Sequence, residues 1–169
     1  MKTLLADGPA DLYATEMRQF GRLAGHWRTE ITYYPADGSP PRRVDGEWEF
    51  GYALEGRAVL DVWQWPGRAG LPPEGRAPDQ EIGLCVRIWD ARLQLWRFTF
   101  HGTRGDVLHM YAREIGDEIV MERAAPGALV RWTFADITPG AFHWRNERST
   151  DGGRTWRLDQ EVHAHRLGG

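Results

Sequence analysis

The chain has 169 residues, of which 41% are hydrophobic and 12% aromatic, and its 21 basic and 24 acidic side chains leave a formal net charge of −3 at pH 7. That length suits one domain with a sizeable core, and the Arg residues are scattered rather than gathered into a stripe that could track a phosphate backbone, so no nucleic-acid partner is expected. The single cysteine, Cys85, excludes an intramolecular disulfide and a thiolate metal cluster.

The amino-terminal residues 1–7 hold only Leu4, Leu5 and Ala6 as an apolar run, far short of the roughly 7–15 apolar residues of a secretory signal. No stretch approaches the roughly 20 apolar residues of a membrane span. A cytoplasmic protein without a membrane partner is the expectation. Residues 10–23 carry the one helical pattern, with Leu12, Met17, Phe20 and Leu23 on one face and Asp11 as a start signal. Residues 25–169 read as a β-barrel, and residues 1–24 as a segment whose helix packs at the base of that barrel.

After Gly25 the pattern turns to strands separated by turn residues. Ten are expected, near 26–34, 44–53, 57–65, 82–90, 93–101, 107–113, 117–123, 129–137, 141–149 and 155–166. Connections after the second, fourth, sixth and eighth strands are tight, whereas those at 35–43 and 66–81 are long. In an up-and-down meander alternate connections share an end. The long loops then form an open rim, the tight turns a closed base, and closure removes the free sheet edges. Residues 66–81 are expected to form a mobile rim loop with no regular structure of its own. The fold class is all-β, a single antiparallel up-and-down barrel of about ten strands with an N-terminal helix.

Gly25-His26-Trp27 opens the first strand, directly after the helix, and Arg166 ends the last. This pairing resembles the Gly-x-Trp signature of lipocalins and their calycin relatives. In that group the Trp closes the barrel base and a late basic residue lies across it. LAGHW, the Trp-rich middle and WTFADITPGAFHWRNERSTDGGRTW are similar to an uncharacterised bacterial lipocalin-like (calycin-type) family. The resemblance implies the fold and assigns no chemistry. It predicts that Trp27 plugs the base with Arg166 stacked on it.

Two further motifs have plain structural readings. Residues 149–156, Ser-Thr-Asp-Gly-Gly-Arg-Thr-Trp, are similar to the Asp-box of sialidase propellers, but a propeller repeats its blade and this motif occurs once. An Asp-Gly-Gly turn between alternating strands is a hairpin signal in itself. Glu161, His163 and His165 alternate along one strand face, a spacing a metal could use. That face lies opposite Trp156, Leu158 and Val162 and reads as solvated, so no metal is expected. No cofactor motif stands out.

The candidate ligand-binding residues are Trp48, Phe50, Trp63, Arg87, Trp96, Arg97, His109, Tyr111, Arg123, Trp132 and Trp144. The aromatic members would pack against a ligand and the polar ones would anchor it. Parity is open in the fifth strand, where Trp96, Phe98 and Phe100 oppose Leu95, Arg97, Thr99 and His101. A slip of one residue exchanges cavity for solvent, and the polar set reads equally as an outward face. The leading function is binding of an unidentified small, partly apolar or aromatic molecule inside the barrel. One alternative is a cofactor-independent enzyme of cyclase, isomerase or decarboxylase type, with a His, Tyr, Arg or Glu moving a proton. A filled barrel with a structural or oligomeric role, such as a homodimer, is the other.

Overall fold

A computed structural model of the chain describes residues 4–72, 75 and 79–168. It contains one helix, α1 (Ala14–Gly21), and ten strands: β1 (Gly25–Tyr33), β2 (Arg42–Ala53), β3 (Ala58–Trp65), β4 (Glu81–Asp90), β5 (Leu95–Gly102), β6 (Val107–Ile115), β7 (Glu118–Ala125), β8 (Ala128–Ala135), β9 (Ala141–Ser149) and β10 (Arg157–Arg166). Each strand pairs antiparallel with its chain neighbour, and β1 pairs with β10, so the sheet closes into an up-and-down barrel. Closure leaves no unpaired edge. No helix among the described residues is long and apolar enough to cross a membrane.

The connections fall as the turn chemistry predicts. Tight links at 54–57, 91–94, 116–117 and 136–140 gather at the base, and the long links at 34–41 and 66–80 lie at the rim. The predicted coil over 66–81 needs a correction, because it holds a one-turn 3-10 helix, η1 (Arg68–Gly70). That turn forms because Glu47 on the adjacent wall accepts the Arg68 amide at 2.7 Å. Residues 73, 74 and 76–78 of the same stretch lie outside the described residues.

The helix begins later than its periodicity suggests. Tyr13, at φ 62°, sets the start without a side-chain cap, and Asp11 contributes its carbonyl rather than its carboxylate, accepting the Ala14 amide at 3.3 Å. Leu12 consequently stays exposed, while Met17, Phe20 and Leu23 are buried. Phe20 enters the barrel base, edge-on to Trp96 at 5.1 Å and to Phe134 at 6.3 Å. Gln19 accepts the Trp96 indole N–H at 2.7 Å, which ties the helix to β5.

Trp27 closes this end. It is fully buried, donates its indole N–H to the Leu23 carbonyl at 2.8 Å, and packs edge-on against Phe142 at 4.8 Å. Arg166 is its cross-strand partner, and the guanidinium carbon sits 4.0 Å from the indole centroid. The same guanidinium donates to the Ala24 carbonyl at 2.7 Å and to the Pro139 carbonyl. Gly25, at φ 131°, makes the approach feasible, since a Cβ there would lie 2.0 Å from Arg166 Nη1. The Gly-x-Trp and late-Arg pairing thus has a steric basis as well as a cation–π one.

The Asp-box sequence forms the rim link between β9 and β10. Asp151 accepts the amides of Arg154 and Thr155, both at 3.0 Å, and the Thr155 hydroxyl at 2.6 Å, while Ser149 Oγ accepts the Gly153 amide at 2.8 Å. These bonds hold the Asp151 carboxyl well below the usual carboxylate range. Trp156 folds back under Arg131, whose guanidinium carbon is 3.9 Å from the ring centroid. The motif is a hairpin device.

Candidate functional site

Strand pleating sorts the interior into two storeys. In the lower one, Phe20, Phe50, Trp96, Phe98 and Phe134 fill the space and are buried. Arg87 on β4 lies among them, with its guanidinium carbon 4.7 Å from the Phe20 centroid and 4.9 Å from that of Phe98. It is ion-paired with Asp61 on β3, and both side chains are withdrawn from solvent. The pair follows from register: Val59 faces Arg87 and Asp61 faces Cys85, so the long Arg side chain reaches diagonally to the carboxylate. Asp61 also accepts the indole N–H of Trp48. A buried charge is tolerated only when paired in this way.

Above this floor lies a mouth cavity of about 230 Å³. Its walls are Trp48, Trp63, Trp132, Trp144, Phe100, Tyr33, Leu108 and Cys85, with Glu81, Asp106 and Gln160 toward the rim. Trp132 and Trp144 are edge-on at 5.3 Å, and Phe100 meets Trp132 at 6.2 Å. Gly83 opens the wall for Phe100, because a Cβ there would lie 2.2 Å from its ring. The indole N–H groups of Trp132 and Trp144 are buried and have no hydrogen-bond partner among the described residues. Burial, and then the charge of Glu81, push the Tyr33 phenol up, and burial does the same to the Cys85 thiol. Both are therefore neutral near pH 7, where Cys85 is a poor nucleophile.

The residues singled out from the sequence divide among four settings. Trp48, Trp63, Trp132 and Trp144 line the mouth cavity. Phe50, Arg87 and Trp96 lie beneath it in the floor. Arg123 shares the inward row of Met121 on β7, is half-buried, and is not among the lining residues. Arg97, His109 and Tyr111 are exposed on the outer wall, because Trp96 and Phe98 take the inward positions of β5, and Met110 and Ala112 those of β6. Arg97 there pairs with Asp90 at 2.6 Å.

Sequence reasoning missed Asp61, Tyr33, Cys85, Phe100, Leu108, Glu81, Asp106 and Gln160. Asp61 had a usable signal, since it alternates with Val59, Trp63 and Trp65 on an apolar row beside Arg87. A larger groove of about 630 Å³ lies outside the wall, where Arg28, Glu30, Arg42, Asp45 and Glu47 give it a charged lining. Val44, Trp65, Pro66, Ala69 and Leu167 add apolar surface to it.

No family model matches the chain, and no curated protein matches it in sequence. Among solved structures it is similar to the S-type phycobiliprotein lyase CpeS from Guillardia theta, with a TM-score of 0.59 at 10% identity over 90% of this chain and 92% of that one. The likeness is one of fold. A redesigned β-barrel also aligns, with a TM-score of 0.42 at 14% identity over 89% of this chain and 96% of that one. With the lyase the chain shares its fold, which here is a closed ten-strand antiparallel barrel.

Proposed function

We propose that the protein binds a small, flat, partly aromatic molecule in the mouth of its barrel, and that this ligand is neutral or cationic. The observation that carries the reading is the mouth cavity itself, walled by four indoles and Phe100 above a closed, ion-paired floor. Its volume of about 230 Å³ falls below the roughly 300–1,000 Å³ of drug-sized sites, so the ligand is small. The two carboxylic acids on the lining, Glu81 and Asp106, lie toward the rim, where Glu81 is offset by Arg104 at 3.9 Å, and Arg87 of the floor is already neutralised by Asp61. Asp106 has no ion-pair partner among the described residues, so it would repel an anionic ligand at the rim. The partnerless indole N–H groups of Trp132 and Trp144 favour a ligand with an acceptor, since an unmade bond at a buried donor costs about 1–3 kcal/mol. The closure by Gly25, Trp27 and Arg166 supports placing the chain with the lipocalin-like families, where a barrel interior is a natural ligand site. The fold relative's name, a phycobiliprotein lyase, is compatible with a barrel that handles a conjugated ring system.

Native mass spectrometry of freshly purified protein should show a co-purified small molecule. In a complementary titration followed by NMR, quinoline should shift the indole N–H resonances of Trp132 and Trp144. Quinoline-2-carboxylate should bind at least tenfold more weakly, and Trp132→Ala should weaken quinoline by a similar factor. Equal binding of the anion would remove the charge assignment. Quinoline binding unchanged in Trp132→Ala would remove the mouth as the site.

A further inference from the structure

On the outer wall, where β1, β10 and β9 run side by side, three metal-ligating side chains share a patch that the mouth cavity does not use. Glu161 and His163 stand two apart on β10 and so leave the same face of the sheet, and His143 on β9 is the direct cross-strand partner of His163. The two imidazoles are parallel, with centroids 4.5 Å apart and 1° between their planes. Both Nε2 atoms turn to one oxygen: Glu161 Oε2 lies 3.1 Å from that of His143 and 3.9 Å from that of His163. The ligating atoms of all three residues lie within 4.8 Å of one another.

The surroundings leave this oxygen to the two rings. Tyr34 donates its hydroxyl to the other oxygen, Oε1, at 2.5 Å and so fixes the carboxylate's orientation. Arg145 is the cross-strand neighbour of Glu161, yet its guanidinium turns away to Glu118 at 3.1 Å. His143 and Glu161 are largely shielded, with 18% and 19% of their side chains exposed, whereas His163 is 53% exposed and free to swing.

We propose that His143, Glu161 and His163 form a site for a divalent transition cation of the zinc, copper or nickel class. Two imidazole nitrogens and one carboxylate oxygen are the donor set such borderline cations take. Zinc sits about 2.0–2.1 Å from nitrogen and about 2.0–2.2 Å from oxygen, which puts tetrahedral ligand atoms roughly 3.3 Å apart. The two Nε2–Oε2 distances straddle that separation; because the two rings are parallel, the exposed His163 ring must tilt out of its stack on His143 to aim its lone pair at a shared cation. Tyr34 then acts as the outer-shell group that holds the ligating carboxylate. The cation replaces the Nε2 proton shared between His143 and Glu161, and water completes its coordination on the solvent side. The alternation of His163 and His165 along β10 is not the organising feature, because the second imidazole comes from β9.

Calorimetric titration of the full chain with Zn²⁺ in a non-coordinating buffer should show saturable one-to-one binding. Electron paramagnetic resonance of the one-to-one Cu²⁺ complex should show coupling to two imidazole nitrogens. Each of His143→Gln, His163→Gln and Glu161→Gln should weaken Zn²⁺ at least tenfold while circular dichroism reports an intact barrel. His101→Gln, on the far wall, should leave binding unchanged. The absence of saturable binding overturns the proposal, as does wild-type affinity in His143→Gln. Loss of the site in His165→Gln with retention in His163→Gln overturns the ligand set.

Discussion

Arg87 sits where a barrel tolerates charge least, enclosed by phenyl rings and paired with a carboxylate that solvent does not reach. Such a pair is worth little against an apolar replacement, but losing one partner strands the other. Asp61→Leu is therefore expected to cost about 3–5 kcal/mol in urea unfolding, with the orphaned Trp48 indole contributing. The double variant Asp61→Leu, Arg87→Met should recover most of that loss. If the double variant is as unstable as the single one, the pair does more than satisfy itself. Trp27 and Arg166 offer a second contrast. Trp27→Ala removes a fully buried indole and should cost about 3–5 kcal/mol. Arg166→Ala loses a cation–π contact of roughly 0.5–2 kcal/mol together with two bonds to carbonyls. Its denaturation midpoint should fall by a smaller, resolvable amount.

At the level of elements, the strands were legible because alternation and turn chemistry agree, as in β2, where Trp48, Phe50 and Tyr52 alternate with Glu47, Glu49 and Gly51. The helix start was not, because a residue in the left-handed region replaced the usual side-chain cap, and no periodicity reports that. Three of the five polar candidates faced outward for a related reason: in β6, His109 and Tyr111 flank Met110, and one buried side chain decides the parity of all three. The mouth was only partly legible, since Tyr33 and Gln160 meet only through the closing pair of β1 and β10, and the inward parity of Phe100 was open in the sequence. The 149–156 link was readable as a hairpin, and it makes a pH prediction. Its Asp151 has a folded pKa below the unfolded value of about 3.9, so its contribution is present above that pH and lost as pH falls through the folded pKa. The Thr155 amide resonance should accordingly titrate well below pH 3.9, and in Asp151→Asn that acid transition should vanish. A midpoint at the ordinary carboxylate value would mean the turn does not hold Asp151 as described.

Across the whole molecule, a filled base and an open mouth occupy different ends of one closed sheet. The base is filled by rings from the helix and from β2, β5, β8 and β9, and it is sealed by Trp27 under Arg166. The mouth keeps its space because Trp48 and Trp132 each pack edge to face on Trp144 rather than interdigitate into a solid core, with Trp63 completing the wall. This division predicts separable variants. Phe20→Ala deletes a fully buried ring that touches Trp96, Phe134 and Arg87 but lies outside the lining, and it should cost about 3–5 kcal/mol. Measured where the variant is still folded, its affinity for quinoline should stay within about twofold of wild type, since 1.4 kcal/mol would be needed for a tenfold change. Trp132→Ala should do the reverse. The half-buried ring widens a cavity that already exists, so the midpoint falls less than in Phe20→Ala while quinoline affinity drops at least tenfold. Were Phe20→Ala to weaken quinoline as much as Trp132→Ala does, the floor would be part of the binding site. The ion-paired layer of Asp61 and Arg87 would then transmit changes upward instead of insulating the mouth from the base.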